Sequence, residues 1–248
     1  MKTRIVDLLP SFPFPRRRAT VAGVLLLVAA TLAPAPAAAQ VDSVVSFNAG
    51  YFALRAEDAR GENDVLWRNL DYLYFELDDF NGFTFGGDYA LGLGPYFEAG
   101  VGLGYYQQTV WSVYREFVDS DGTEIEQDLK LRVVPVTFTA RVFPLGRFNG
   151  VQPYLGGGLG VFAWRYSESG EFVDFNGDIF RATYEDSGNA LGPVLVGGVR
   201  FPAGSGVMIG GEFRWQQAEA DLDEGEGFAS DRLDLGGYNW LFSVAFRF

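Results

Sequence analysis

The chain contains no cysteine and no histidine. The first absence excludes disulfides and thiol chemistry. The second removes the usual general base at neutral pH and the commonest metal ligand. Without histidine the Ser-His pair of membrane-embedded hydrolases and acyltransferases cannot be built. Carboxylates are plentiful, but no pair stands out from the acidic background, so no enzyme and no cofactor are expected. Basic charge is scarce: 19 Lys and Arg stand against 32 Asp and Glu. Residues 1–39 hold Lys2, Arg4, Arg16, Arg17 and Arg18 against Asp7. From Gln40 onward this leaves 14 basic and 31 acidic residues, a net charge near −17. Such a chain repels nucleic acid, which is excluded as a partner. The acidity reads as a solvated surface, with divalent cations or basic surface partners as the other reading. Long apolar runs are absent after residue 40, so no second helical membrane span is expected.

What is present is glycine, 32 residues, and aromatics at 16%. That pairing suits an all-β protein of tight turns, close strands and interfacial rings. The N-terminus differs from the rest. Arg16–Arg18 precede an apolar run from Ala19 to Leu32, then Ala33-Pro34-Ala35-Pro36-Ala37-Ala38-Ala39. A basic region, an apolar core and small residues before Gln40 predict a signal peptide over 1–39, cleaved after Ala39 on the general secretory route.

From Val41 the apolar residues recur every second position. Strands are expected near 43–54, 82–92, 96–112, 129–143, 151–166, 189–202, 206–217 and 234–248. Connections alternate between long polar segments (55–81, 113–128, 167–188, 218–233) and short ones at Gly92–Pro95, Pro144–Gly150 and Ala203–Ser205. A soluble sandwich has no reason to alternate in this way. An even number of antiparallel strands with short turns at one end and long loops at the other predicts a transmembrane eight-stranded antiparallel up-and-down β-barrel over 40–248. The faces agree. Trp240, Phe242, Val244, Phe246 and Phe248 alternate with Ser243 and Arg247, and Val134, Val136, Phe138, Ala140 and Val142 alternate with Thr137, Thr139 and Arg141. The oily row must face lipid, since hydrocarbon rejects Arg by about 2–4 kcal/mol.

The run Gly94-Pro95-Tyr96-Phe97-Glu98-Ala99-Gly100-Val101-Gly102-Leu103-Gly104-Tyr105 resembles the third strand of the eight-stranded outer-membrane β-barrel domain family, the OmpA-like and OmpW-like barrels. Val151-Gln152-Pro153-Tyr154-Leu155-Gly156-Gly157-Gly158-Leu159-Gly160 resembles its fifth strand. The terminal Phe248, with Trp240, Phe242, Val244 and Phe246 before it, is similar to the signal that the outer-membrane assembly machinery reads. The resemblance implies a place in the bacterial outer membrane, with outer-membrane lipid and that machinery as partners. No periplasmic domain is expected after the barrel, so the peptidoglycan anchoring of full-length OmpA is not expected to carry over.

Turning the small and polar rows inward places Asp88, Glu98, Arg141, Arg200, Glu212, Arg214 and Arg247 in the lumen. An eight-stranded barrel is just wide enough for side chains to fill, so these charges are expected to pair. Glu98 and Arg141 are expected as one such pair. A satisfied plug and a narrow polar path are both consistent with this charge set. The loops gather acid, and the aromatics Trp67, Tyr72, Tyr74 and Phe75 in 55–81 point to a cap over the mouth or to extended strands. Asp119, Asp121 and Glu124 resemble half a calcium loop, as does Asp174-Phe175-Asn176-Gly177-Asp178. Both also read as ordinary hairpin turns, the favoured reading. The expected role is a structural or surface-interacting barrel with a filled lumen and acidic outer loops. A small pore or transporter for ions or hydrophobic molecules is the alternative.

Overall fold

Period-two patterning produces strands because successive side chains in extended backbone point to opposite faces. The computed structural model describes residues 42–174, 176–223 and 227–248. The expected signal peptide, residues 1–39, lies outside them. Among the described residues eleven strands follow in order: β1 (Ser43–Leu54), β2 (Leu73–Tyr74), β3 (Gly82–Leu93), β4 (Phe97–Val118), β5 (Glu124–Val142), β6 (Gln152–Val173), β7 (Ile179–Pro202), β8 (Val207–Gln216), β9 (Glu219–Asp221), β10 (Arg232–Asp234) and β11 (Gly237–Arg247). Eight of them, all but β2, β9 and β10, pair antiparallel in a ring that closes where β11 meets β1. At the seam the Ser43 N–H donates to the Phe248 carbonyl (3.2 Å) and the Phe248 N–H donates to the Ser43 carbonyl (2.9 Å). Closure leaves no open edge through the wall, as a bilayer requires. Among the described residues no helix is long and apolar enough to cross a membrane; the strands do the crossing.

Short turns join the strands at the end that holds Ser43 and Phe248, which is the periplasmic end by the usual loop asymmetry. At the other end the strands run further than their sequence suggested. Segments 113–128 and 167–188, expected as loops, are mostly continued strand, so β4–β5 and β6–β7 rise as long hairpins. The two turns at their tips hold Gly122 and Gly177, each at φ +86°, a left-handed conformation that glycine adopts without steric cost.

The extension changes which face is oily. In β5 the outward row is Val134, Val136, Phe138, Ala140 and Val142, while the inward row carries Thr137, Thr139 and Arg141. Beyond Val134 the apolar residues shift phase by one position. Ile125, Leu129, Leu131 and Val133 point inward and are buried, and Asp128, Lys130 and Arg132 point outward. β6 repeats this: Phe162, Trp164 and Tyr166 are buried inside while Arg165 is exposed. A single oily face for each whole strand, as expected from the sequence, is therefore corrected. Water replaces lipid outside the wall above the membrane, so the apolar side chains must turn to the interior.

Segment 55–81 folds over this outer opening. It holds a short helix α1 (Val65–Asn69), the strand β2 against β4, and single 3-10 turns at Glu57–Ala59 and Leu77–Phe80. Val65, Leu66, Leu73, Phe75 and Phe80 pack in one buried cluster with Phe52, Tyr106, Leu131, Phe162 and Trp164. Asp64 begins α1, and its carboxylate accepts from the Trp67 N–H at 3.0 Å, satisfying one of the free donors of the first turn. The same carboxylate pairs with Arg60 at 2.9 Å and accepts from the Asp234 N–H at 2.6 Å, tying the cap to β10.

Candidate functional site: the barrel interior

The inward rows carry every expected lumen charge: Asp88 on β3, Glu98 on β4, Arg141 on β5, Arg200 on β7, Glu212 and Arg214 on β8, and Arg247 on β11. All are buried except Arg247, which sits half-buried at the periplasmic rim. Glycine makes the room. A Cβ on Gly102 would lie 2.5 Å from Asp88 Oδ1 and 2.7 Å from Thr137 Oγ1, closer than any side chain tolerates. The inward glycines of β4 therefore leave space for charged groups from its neighbours.

The charges form two groups. In the first, Asp88 pairs with Arg141 (3.2 Å) and Arg214 (3.3 Å), and Glu212 pairs with the same two guanidiniums at 3.2 Å and 2.6 Å. Asn48 donates a further bond to Asp88, and the Tyr154 hydroxyl donates to Glu212 at 2.8 Å. In the second, Glu98 sits between Arg147 (3.0 Å) and Arg200 (2.9 Å), while Asp42 holds Arg147 at 2.6 Å and Arg247 at 3.4 Å. The Arg200 guanidinium also lies 5.0 Å from the Tyr154 ring centre, where the ring face attracts a cation.

The expected Glu98–Arg141 ion pair is not formed. The two residues face each other in register, but Glu98 is taken by Arg147 and Arg200, and Arg141 by Asp88 and Glu212. The sequence reading missed Arg147, which stands in the short 144–150 connection, where an arginine reads as a solvated turn residue. In fact its side chain is fully buried, and it donates to the Gly94 carbonyl at 2.9 Å as well as to its two acids. Asp42, just before β1, and Tyr154 were missed for related reasons. A residue outside a strand, or an aromatic in an inward row, gives no charge pattern to follow.

Above the Asp88 group lies a cavity of about 20 Å³, bounded by Asn48, Thr84, Gly104, Arg214, Gln216 and Asn239. That volume holds about one water molecule. Beyond it the interior is the apolar cluster and the cap. One contact of the cap with the wall is made by a buried acid: Glu168 Oε1 accepts from Asn69 Nδ2 at 2.6 Å and from the Tyr166 hydroxyl at 2.8 Å. Burial pushes the Glu168 carboxyl above its ordinary range, and these two bonds only partly offset it.

Outside the barrel, Trp240, Phe242, Val244, Phe246 and Phe248 occupy the outward row of the closing strand. The hairpin tips use their acids locally. Asp121 Oδ1 accepts from the Thr123 hydroxyl and N–H at 2.7 and 3.0 Å, which holds its carboxyl below the usual range. Asp119 accepts from the Ser120 hydroxyl at 3.1 Å, and Glu124 opens β5 on its exposed face. Asp174 binds the N–H groups of Asn176 and Asp178 in the same manner. Among the described residues no group of three carboxylates is placed to hold a metal ion.

Residues 22–248 match the family described as the outer membrane protein beta-barrel domain. The chain belongs to that family, and its compartment is the bacterial outer membrane. No curated protein matches the sequence. Similar solved structures include the N-terminal β-barrel domain of OprF from Pseudomonas aeruginosa, at 12% identity over 84% of this chain and 97% of that one, TM-score 0.41. Neisserial surface protein A gives 14% identity over 84% and 97%, TM-score 0.43. A major outer membrane protein from Thermus thermophilus gives 13% identity over 85% and 100%, TM-score 0.45.

Proposed function

We propose that this barrel is sealed and works at its outer surface, as a structural or partner-binding element of the envelope. The pairing of Asp88 and Glu212 with Arg141 and Arg214, of Glu98 with Arg147 and Arg200, and of Asp42 with Arg147 and Arg247 carries the reading. Buried charges that satisfy one another hold their side chains across the lumen, and moving any of them aside exposes an unpaired charge at a cost of several kcal/mol. Packing of the cap against the apolar outer half of the interior supports the same reading. The acidic hairpins are then the parts offered to surface partners or divalent cations. Arrival in the membrane would follow removal of residues 1–39 and recognition of Phe248 and its alternate aromatics by the assembly machinery. The absence of histidine is the reason to assign no enzymatic role.

Purified barrel added to a planar lipid bilayer should show no steady unitary conductance. Reproducible open steps would overturn the sealed reading. A second reading, transport of hydrophobic molecules, draws on the apolar interior around Phe52, Tyr106, Phe162 and Trp164. It requires the cap to leave, and uptake of an apolar fluorophore into barrel-containing vesicles faster than into empty ones would favour it.

A further inference from the structure

Cations are few on this acidic chain, and those on the outer wall are grouped. Five of the 14 basic residues after residue 39 are the inward arginines 141, 147, 200, 214 and 247. Arg115 and Arg181 stand high on the hairpins, where Arg115 bonds the Leu73 carbonyl and Arg181 pairs with Glu171. The remaining outward-facing cations of the wall strands are Lys130 and Arg132 on β5 and Arg165 on β6. They stand together. Arg132 is the direct cross-strand partner of Arg165, and Lys130 follows on the same outward row.

This arrangement is costly on its own. Directly opposed residues have Cβ atoms about 5 Å apart, and like charges at that spacing oppose strand pairing. The flanking partners in the same row, Gln107 and Ser187, are uncharged. Arg165 has an exposed pairing with Glu185 at 3.0 Å, but Lys130 and Arg132 have no salt bridge among the described residues. The level is also specific. One step toward the membrane, Val134 pairs with Ala163 and the apolar band begins; one step beyond Lys130 on the same face, Asp128 begins the acidic region. Three cations thus occupy the boundary row where the headgroups of the outer leaflet must lie.

We propose that Lys130, Arg132 and Arg165 bind the phosphate groups of an outer-leaflet lipid. A phosphate between Arg132 and Arg165 relieves their repulsion and accepts forked bonds from both planar guanidiniums. Lys130 adds a point charge from one turn of the pleat further out. Long stems of these side chains lie along the wall and carry the charge to the headgroup level. The membrane's acyl chains then cover the apolar band directly below. The proposal depends on the membrane orientation and not on whether the lumen conducts.

The test uses protein purified from membranes in an uncharged detergent, titrated with bisphosphorylated lipid A and separately with the dephosphorylated lipid. Wild type should bind the phosphorylated form at least tenfold more tightly. The K130Q/R132Q/R165Q variant should lose that preference, while R181Q keeps it. Equal binding of the two lipids by wild type, or full preference in the triple variant, would overturn the site. Displacement of the lipid by inorganic phosphate at matched concentration would also overturn the lipid assignment, since the ligand would then be free phosphate. R132Q alone, which removes the like-charge opposition and should weaken binding about threefold, serves if the triple variant does not fold. Unchanged affinity in it counts against the proposal.

Discussion

Arg147 shows how much of the interior rests on one side chain. Its guanidinium is fully buried and shared by Asp42, Glu98 and the Gly94 carbonyl. Arg147→Leu leaves Glu98 with Arg200 and Asp42 with the longer, less buried contact of Arg247. Losing one partner of a buried ion group costs about 3–5 kcal/mol, chiefly because the other charges stay behind. Arg181→Leu breaks an exposed pair whose guanidinium side is 83% accessible, and such pairs contribute about 0–1 kcal/mol. In urea titrations of the refolded barrel, the first variant should unfold at a much lower concentration and the second close to wild type. Equal midpoints would refute the structural weight given to Arg147. The seven inward charges on strands were legible because alternation fixes which face a residue takes. Their partners were not, because pairing depends on side-chain reach along the barrel axis. Glu98 and Arg141 are register neighbours, yet each finds a better-placed group above or below.

At the scale of elements, the first strand was readable to the residue and the closing strand to within three, since most of each lies in lipid with one oily row, which in β1 turns inward at Phe52 and Leu54. The outer parts of β4 to β7 were not. Their alternation persists, as in Ile125, Leu129 and Leu131, but the apolar row moves to the other face once water replaces lipid outside. A reading that follows one oily row runs only a few residues past that slip, to Leu129 and Tyr166, and assigns the remainder to loops. The cap was legible as a structured segment from its aromatics, but not its attachment to Glu168. That attachment has a pH signature. Burial raises the Glu168 carboxyl, so the folded protein binds this proton more tightly than the unfolded chain. Its contribution to stability therefore falls as pH rises from the ordinary carboxylate value, about 4.3, through the raised folded value, and is level above that. Glu168→Gln keeps an oxygen to accept from Asn69 and Tyr166 and removes the charge. The variant should gain on wild type between pH 4 and pH 8 in paired denaturant titrations. A difference that stays constant or shrinks over that range would contradict a buried, uncompensated carboxylate.

For the molecule as a whole, the question is which part closes the barrel. Two candidates stand in series along the axis: the paired charges near the periplasmic end, and the cap with its apolar cluster at the outer end. The paired charges draw their ligands from β3, β4, β5, β7, β8, β11, the 144–150 connection and Asp42, so they span the section without help from segment 55–81. The cap is anchored by Asp64 and Arg60 to Asp234, and by Asn69 to Glu168, none of which touches the inner charges. If the charges are the seal, replacing residues 56–80 with a short glycine-serine linker should leave the bilayer as silent as wild type, while apolar dye binding rises as Phe52, Phe162 and Trp164 lose their cover. If the cap is the seal, the same deletion should produce steady conductance. The first outcome is expected. Side chains held by two ion pairs each, as Asp88, Glu98, Arg141, Arg147, Glu212 and Arg214 are, cannot swing aside without exposing charge in a narrow section, whereas an apolar cluster stripped of its lid loses only packing.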